Sequence, residues 1–160
     1  MLSWFRKSSK VEMPKTLGQI GEELAQLEYK RNGYKIVTAN YFNRKGKRLG
    51  EIDFIAKDKH CLIFAEVKTR TDDYSRFGRA VESVNVFKQV KLLKAAKIFL
   101  LRNPKLAELK PQIDVCLIRL TDISSLKLVK LNPAEYLAPG GVDKIGRNVK
   151  IIPNAVEDWS

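Results

Sequence analysis

Cysteine and histidine are nearly missing from the chain, which has two of the first, Cys61 and Cys116, and one of the second, His60. Both cysteines sit in apolar runs, where a small buried thiol is the usual reading. Two cysteines and one histidine argue against a zinc site, and the lack of a disulfide framework points to a reducing, cytoplasmic compartment. Long apolar runs are missing too. No segment approaches the roughly 18 residues of a membrane span, and the opening "MLSWFRKSSK" has basic residues without an apolar stretch of signal-peptide length. A membrane partner is therefore not expected. Acidic residues are the minority charge, 18 Asp and Glu against 30 Lys and Arg, leaving a formal charge of +12. That balance nominates a polyanion partner, nucleic acid above all, although a basic surface can also serve only solubility.

What the chain does have is an ordinary globular composition, 44% hydrophobic and 30% charged over 160 residues, enough for one domain with a single core. Residues 1–15 carry Arg6, Lys7, Lys10 and Lys15 against Glu12 alone and read as a flexible basic arm. From Thr16 to Arg31 the spacing of Leu17, Ile20, Leu24 and Leu27 is helical, with Thr16 as N-cap and Gly33 as stop. Tyr34–Phe42 reads as a strand ended by the basic turn "NRKGKR". Glu51–Ala56 and Cys61–Thr69 are two more strands around the turn "KDKH". A loop "TDDYSRFG" precedes a long helix from Arg79 to about Arg102, stopped by Pro104, and Ile113–Leu120 is a further strand. The order helix, three-stranded antiparallel meander, helix, strand is mixed α/β. The core domain is set at residues 16–121, and residues 122–160 are expected to form a C-terminal extension packed on the core, built as a hairpin or edge strands.

The stretch "GEIDFIAKDKHCLIFAEVKTR" places Asp53, Glu66 and Lys68 inside two oily strands, where an uncompensated charge costs several kcal/mol. Alternation puts Leu62, Phe64, Glu66 and Lys68 on one face of their strand, and Glu51, Asp53 and Ile55 on one side of the other, with Ile52, Phe54 and Ala56 opposite. A turn centred between Lys59 and His60 pairs Ala56 with Ile63, Phe54 with Ala65 and Asp53 with Glu66. Opposed carboxylates, about 5 Å apart at Cβ, need a shared proton or a cation. Mg²⁺ takes one or two carboxylates plus water and phosphate oxygens. With Lys68 on the same face, this is an inventory for metal-assisted phosphodiester hydrolysis. The structural alternative is a Glu66–Lys68 ion pair. The triplet Glu-x-Lys alone decides nothing, since it recurs at Glu28–Lys30 and Glu108–Lys110.

On the motifs "GEELA" (21–25), "NGYKIVTANY" (32–41), "GEIDFIA" (50–56), "FAEVKTR" (64–70), "FGRAVESV" (77–84) with "KQ" (88–89), and "IDVCLI" (113–118), the chain resembles the YraN family of small bacterial proteins, related to the PD-(D/E)XK nucleases and especially to archaeal Holliday-junction resolvases. The ending "KIIPNAVE" (150–157) resembles the family's. The resemblance implies a restriction-endonuclease-like core in which Asp53 and Glu66 hold Mg²⁺ or Mn²⁺, the Val67 carbonyl adds a ligand, and Lys68 assists the attacking water. It adds Glu22 as a further acidic group of the site. Periodicity places Glu22 almost opposite the Leu17, Ile20, Leu24, Leu27 stripe, on the side of Ala25 and Tyr29, where a solvated glutamate is the plain reading.

The second helix gives an independent hint, because Asn85 and Gln89 continue the apolar stripe of Val81, Leu92, Ala96, Phe99 and Leu100, with Lys88 at its edge. Solvation of a helix end would explain this as well as a lined site. Arg70, Lys88, Gln89 and Lys91 are the candidate nucleic-acid contacts, and Lys91, Lys94 and Lys97 form a basic flank. The expectation is a Mg²⁺-dependent endonuclease acting on DNA, branched or structured DNA included. The related resolvases imply a homodimer. The alternatives are a nuclease-fold protein that binds nucleic acid or a DNA-processing partner without cutting, and an interaction protein that recruits others through its arm and extension.

Overall fold

The computed structural model describes residues 16–42, 50–71, 86–120, 147–156 and 159. The expected basic arm, the turn at 43–48, the loop at 72–78, the helix start at 79–85 with Val81 and Asn85, and the segment 121–146 lie outside the described residues.

Helix α1 covers Leu17–Arg31. Thr16 caps it as expected, in a reciprocal box: Thr16 N–H donates to Gln19 Oε1 at 2.8 Å, and Gln19 N–H donates to Thr16 Oγ1 at 3.3 Å. Gly33, with φ +87°, turns the chain out of the helix. Three strands follow, β1 (Lys35–Phe42), β2 (Glu51–Lys57) and β3 (Cys61–Arg70). The turn between β2 and β3 is closed by Asp58, whose Oδ1 accepts from the N–H groups of His60 and Cys61 at 2.7 and 2.6 Å. Helix α2 is described over Val86–Arg102, and Asn103 caps its end by donating to the Phe99 carbonyl at 2.8 Å. Strand β4 (Lys110–Leu120) begins three residues before its expected start, taking in Pro111 as its second residue, and strand β5 covers Arg147–Val156.

The sheet order is β1-β2-β3-β4-β5, antiparallel everywhere except between β3 and β4, which run parallel across the α2 connection. Helix, antiparallel meander, helix, strand is the arrangement of a restriction-endonuclease-like core, here with a fifth strand on the far edge of β4. No helix among the described residues is long and apolar enough to cross a membrane.

The two sheet faces follow from the alternation of side chains. Phe54, Ala56, Ile63, Ala65, Cys116 and Ile118 face α1, packing on Leu24, Ala25 and Tyr29. Ile55, Leu62, Phe64, Val115 and Leu117 face α2, packing on Leu92, Ala96 and Phe99. Each fully buried side chain of this size removes roughly 1.5–3 kcal/mol worth of apolar surface from water, so both helices are fixed by their contacts with the sheet. The expected stripe on α1 is too narrow: Gly21, Ala25 and Tyr29 are buried beside Ile20, Leu24 and Leu27.

Ile52 departs from its expected side. It packs with Ile55 and Leu92 rather than with Phe54 and Ala56. The break falls where the β2–β3 ladder ends, since pairing runs from Lys57↔Leu62 to Phe54↔Ala65 and stops there. Beyond that point the two strands fork.

Candidate functional site

The fork is where the charges of the two strands come together. A cavity of about 420 Å³ opens there, lined by Gly50, Glu51, Asp53, Glu66, Phe87, Lys88, Lys91 and Leu92. The expected pairs Ala56↔Ile63 and Phe54↔Ala65 are present. Asp53 and Glu66, next on the same count, are not a ladder pair, yet both side chains enter this one cavity from the α2 face.

Glu66 is 2% exposed, a position that a carboxylate tolerates only with charged or hydrogen-bonding partners. Its Oε1 accepts from Lys68 Nζ at 2.8 Å and also from Lys88 Nζ. The ion pair posed as the structural alternative therefore exists, and it is shared with a lysine on α2. Burial holds the Lys68 amine below its ordinary range, with neighbouring Lys88 adding to the effect and Glu66 opposing it. Burial also works against the Lys88 cation, but Glu66 and Asp53 outweigh it and raise Lys88 above its ordinary value.

Asp53 is less well compensated. One oxygen accepts the Val67 N–H at 2.6 Å, a donor that a continued ladder would have given to a main-chain carbonyl. Burial, followed by the proximity of Glu66, pushes its carboxyl up to about 7; the Val67 hydrogen bond and Lys88 only partly offset this. Glu22, half-buried on α1, is also raised, by burial and then by Glu51 and Glu66. It therefore feels the acidic centre from the opposite helix and is not simply a solvated glutamate.

Two glycines permit this approach of elements. A Cβ on Gly21 would lie 1.8 Å from Thr69 Oγ1, so α1 crosses the end of β3 at the residue before Glu22. A Cβ on Gly50, which has φ +97°, would lie 2.6 Å from the Lys91 carbonyl oxygen, so α2 meets the start of β2 backbone to backbone.

Residues 21–118, more than half the chain, match the family model described as "Uncharacterised protein family UPF0102". The chain belongs to the UPF0102 family. This is the YraN family by its other designation, in agreement with the motifs. A UPF0102 protein of Carboxydothermus hydrogenoformans is 43% identical over 98 residues, 61% of this chain and 77% of the relative. One from Caldanaerobacter subterraneus subsp. tengcongensis is 35% identical over 118 residues, covering 74% of this chain and 90% of the relative. Another, from Photobacterium profundum, is 42% identical over 86 residues, 54% of this chain and 64% of that protein. The span that matches the UPF0102 model includes Glu22, Asp53, Glu66, Lys68 and Lys88, and excludes β5.

Within this UPF0102 domain the nucleic-acid candidates divide. Lys88 and Lys91 line the cavity, Gln89 is half-buried beside them, and Arg70 stands exposed at the end of β3, in register with Arg119 and outside the cavity lining. Sequence reasoning missed Gly50, Glu51 and Phe87 as lining residues, although Gly50 and Glu51 open the quoted "GEIDFIA".

It also missed a second buried acid. Asp114, 2% exposed, accepts from Tyr29 Oη at 2.5 Å, Gln112 Nε2 at 2.7 Å and the Asn154 N–H at 3.0 Å. Neutral donors from α1, β4 and β5 satisfy it fully, which marks a structural anchor. Asp53, with one hydrogen bond among the described residues and a carboxyl pushed up by burial and Glu66, is the less compensated acid.

Proposed function

We propose that this UPF0102 domain is a divalent-cation-dependent nuclease that hydrolyses phosphodiester bonds of DNA in the cytoplasm. The observation that carries the reading is the carboxylate pair Asp53 and Glu66 facing one cavity, with Lys68 2.8 Å from Glu66 and Asp53 the less compensated of the two.

The donors suit Mg²⁺ or Mn²⁺, because they are oxygen only and hard cations of this kind use one or two carboxylates with water and substrate oxygens. Asp53 and Glu66 would hold the ion, with the carbonyl of Val67, the residue whose own N–H Asp53 accepts, as a third donor. The ion would offset charge on the phosphate and acidify a water. Lys68, beside Glu66 on the same strand, would orient that water and exchange its proton. Lys88 and Lys91 supply positive charge at the cavity wall for the phosphate. Glu22 adds negative potential from α1 that would favour positive charge at this site.

Purified protein with Mg²⁺ or Mn²⁺ is expected to cut members of a panel of linear, nicked, flapped and four-way DNA. Asp53→Asn and Lys68→Ala should each abolish cutting; equal activity in both variants and the native protein would refute the assignment.

A second reading has its own support. Both lysines already neutralise Glu66, and among the described residues no group of three His, Cys, Asp or Glu side chains is arranged to hold a metal. A domain that binds nucleic acid without cutting would show no Mn²⁺ uptake by calorimetry and salt-sensitive DNA binding that survives Asp53→Asn.

A further inference from the structure

Phe87 is an anomaly at the cavity mouth. It lines the same space as Asp53 and Glu66, yet the residue is 81% exposed, and Val86 and Val90 beside it are 71% and 42% exposed. Its neighbours in the lining are Lys88 and Lys91, and Lys94 continues the same side of α2 in exposed positions. An apolar surface alternating with lysines is unsuited to a dry protein interface, from whose core charged groups are depleted. It suits a polynucleotide, which offers phosphates to the lysines and flat apolar base faces to the ring.

We propose that Phe87 is a stacking platform for an unpaired nucleobase, so that the favoured ligand is single-stranded nucleic acid or a strand junction with an unpaired nucleotide. The inference deepens the reading given above and rests on a polynucleotide occupying the cavity. In a duplex, both faces of each base are covered by neighbouring pairs, and an edge-mounted ring finds nothing to stack on. A nucleotide splayed from its neighbours exposes its π-face at the distance of one sugar from its phosphate. With the phosphate drawn to the cavity by Lys88 and Lys91, the base of that nucleotide reaches the ring at the mouth. Phe87 thereby selects by strandedness and not by sequence, since every base has such a face.

The test is fluorescence anisotropy in EDTA, with a fluorescein-labelled oligonucleotide used single-stranded and annealed to its complement. The native protein should prefer the single strand. Phe87→Ala and Phe87→Leu should each reduce that preference about tenfold or more, because base stacking on an aromatic ring is lost and Leu restores only bulk. Phe87→Trp should restore it. The salt dependence should stay the same in all four proteins, since no phosphate contact is changed. A native protein without the preference, variants that lose single-strand and duplex affinity equally, or a Leu variant that behaves as native would overturn the proposal. So would a fall in molar mass by sedimentation in Phe87→Ala, which would assign the ring to contact with a second copy. The absence of cleavage with any metal would refute the nuclease and leave the stacking result standing, so the two failures are distinguishable.

Discussion

The carboxyl of Asp53 makes folding stability depend on pH in an unusual direction. In the unfolded chain it ionises near 3.8, whereas in the folded chain burial and Glu66 hold it protonated up to about 7. Between those values the folded state keeps a proton that the unfolded state has lost, so the free energy of unfolding falls as pH rises. The contribution is complete below about pH 4 and gone above about pH 7, and the displacement corresponds to about 4 kcal/mol. That is a large part of the 5–15 kcal/mol that a domain of this kind possesses. Asparagine does not titrate, and its side-chain oxygen can still accept the Val67 N–H. Urea unfolding of native and Asp53→Asn protein in EDTA, from about pH 4 to about pH 8, isolates the effect as the difference between the two curves. Asn should gain relative to Asp steadily as pH rises through the window and then level off. A difference that stays constant across the window would show that Asp53 is ionised throughout, and would remove the argument that its charge is under-compensated.

Three other substitutions test the surrounding geometry. Lys88→Met should tighten Mn²⁺ binding by about tenfold in calorimetry, because a charge-assisted hydrogen bond of about 1.5 kcal/mol no longer has to be broken at Glu66; unchanged affinity would mean that lysine and metal do not compete. Tyr29→Phe removes a donor from buried Asp114 and should cost about 1–3 kcal/mol by denaturant unfolding, with a loss under about 0.5 kcal/mol contradicting the anchor role. Gly50→Ala should destabilise by about 1–3 kcal/mol, since it combines positive φ with a collision against the Lys91 carbonyl. Gly18→Ala, whose nearest contact would be 3.8 Å, serves as its control and should be neutral or mildly stabilising.

Local patterns made most of the architecture readable. The Thr16 cap, the "KDKH" turn and two-residue alternation produced α1, the meander and the pairs Ala56↔Ile63 and Phe54↔Ala65, because each depends on residues close in the chain. Ile52 could not be placed by alternation, since the fork that redirects it arises from the end of a ladder and not from a turn residue. Proline hid the start of β4, where Pro111 is accommodated at the beginning of the strand. At the site, a charge within an apolar run identified Asp53 and Glu66. The same signal was present at Asp114 in "IDVCLI", and only the tertiary partners Tyr29 and Asn154 separate an anchored acid from an exposed chemistry. Lys88 meeting Glu66 across 22 positions, and Phe87 beside them, depend on how α2 lies against the sheet, which no local spacing encodes.

The hydrogen bond from Val67 to Asp53 makes that carboxylate the last stitch in the seam between β2 and β3. Alanine at position 53 would remove reagent and stitch together, letting the strands part further back, and an inactive Asp53→Ala protein would confuse torn fabric with missing chemistry. Asparagine keeps the thread. In this fold a comparison between those two variants measures how much of the acid is architecture.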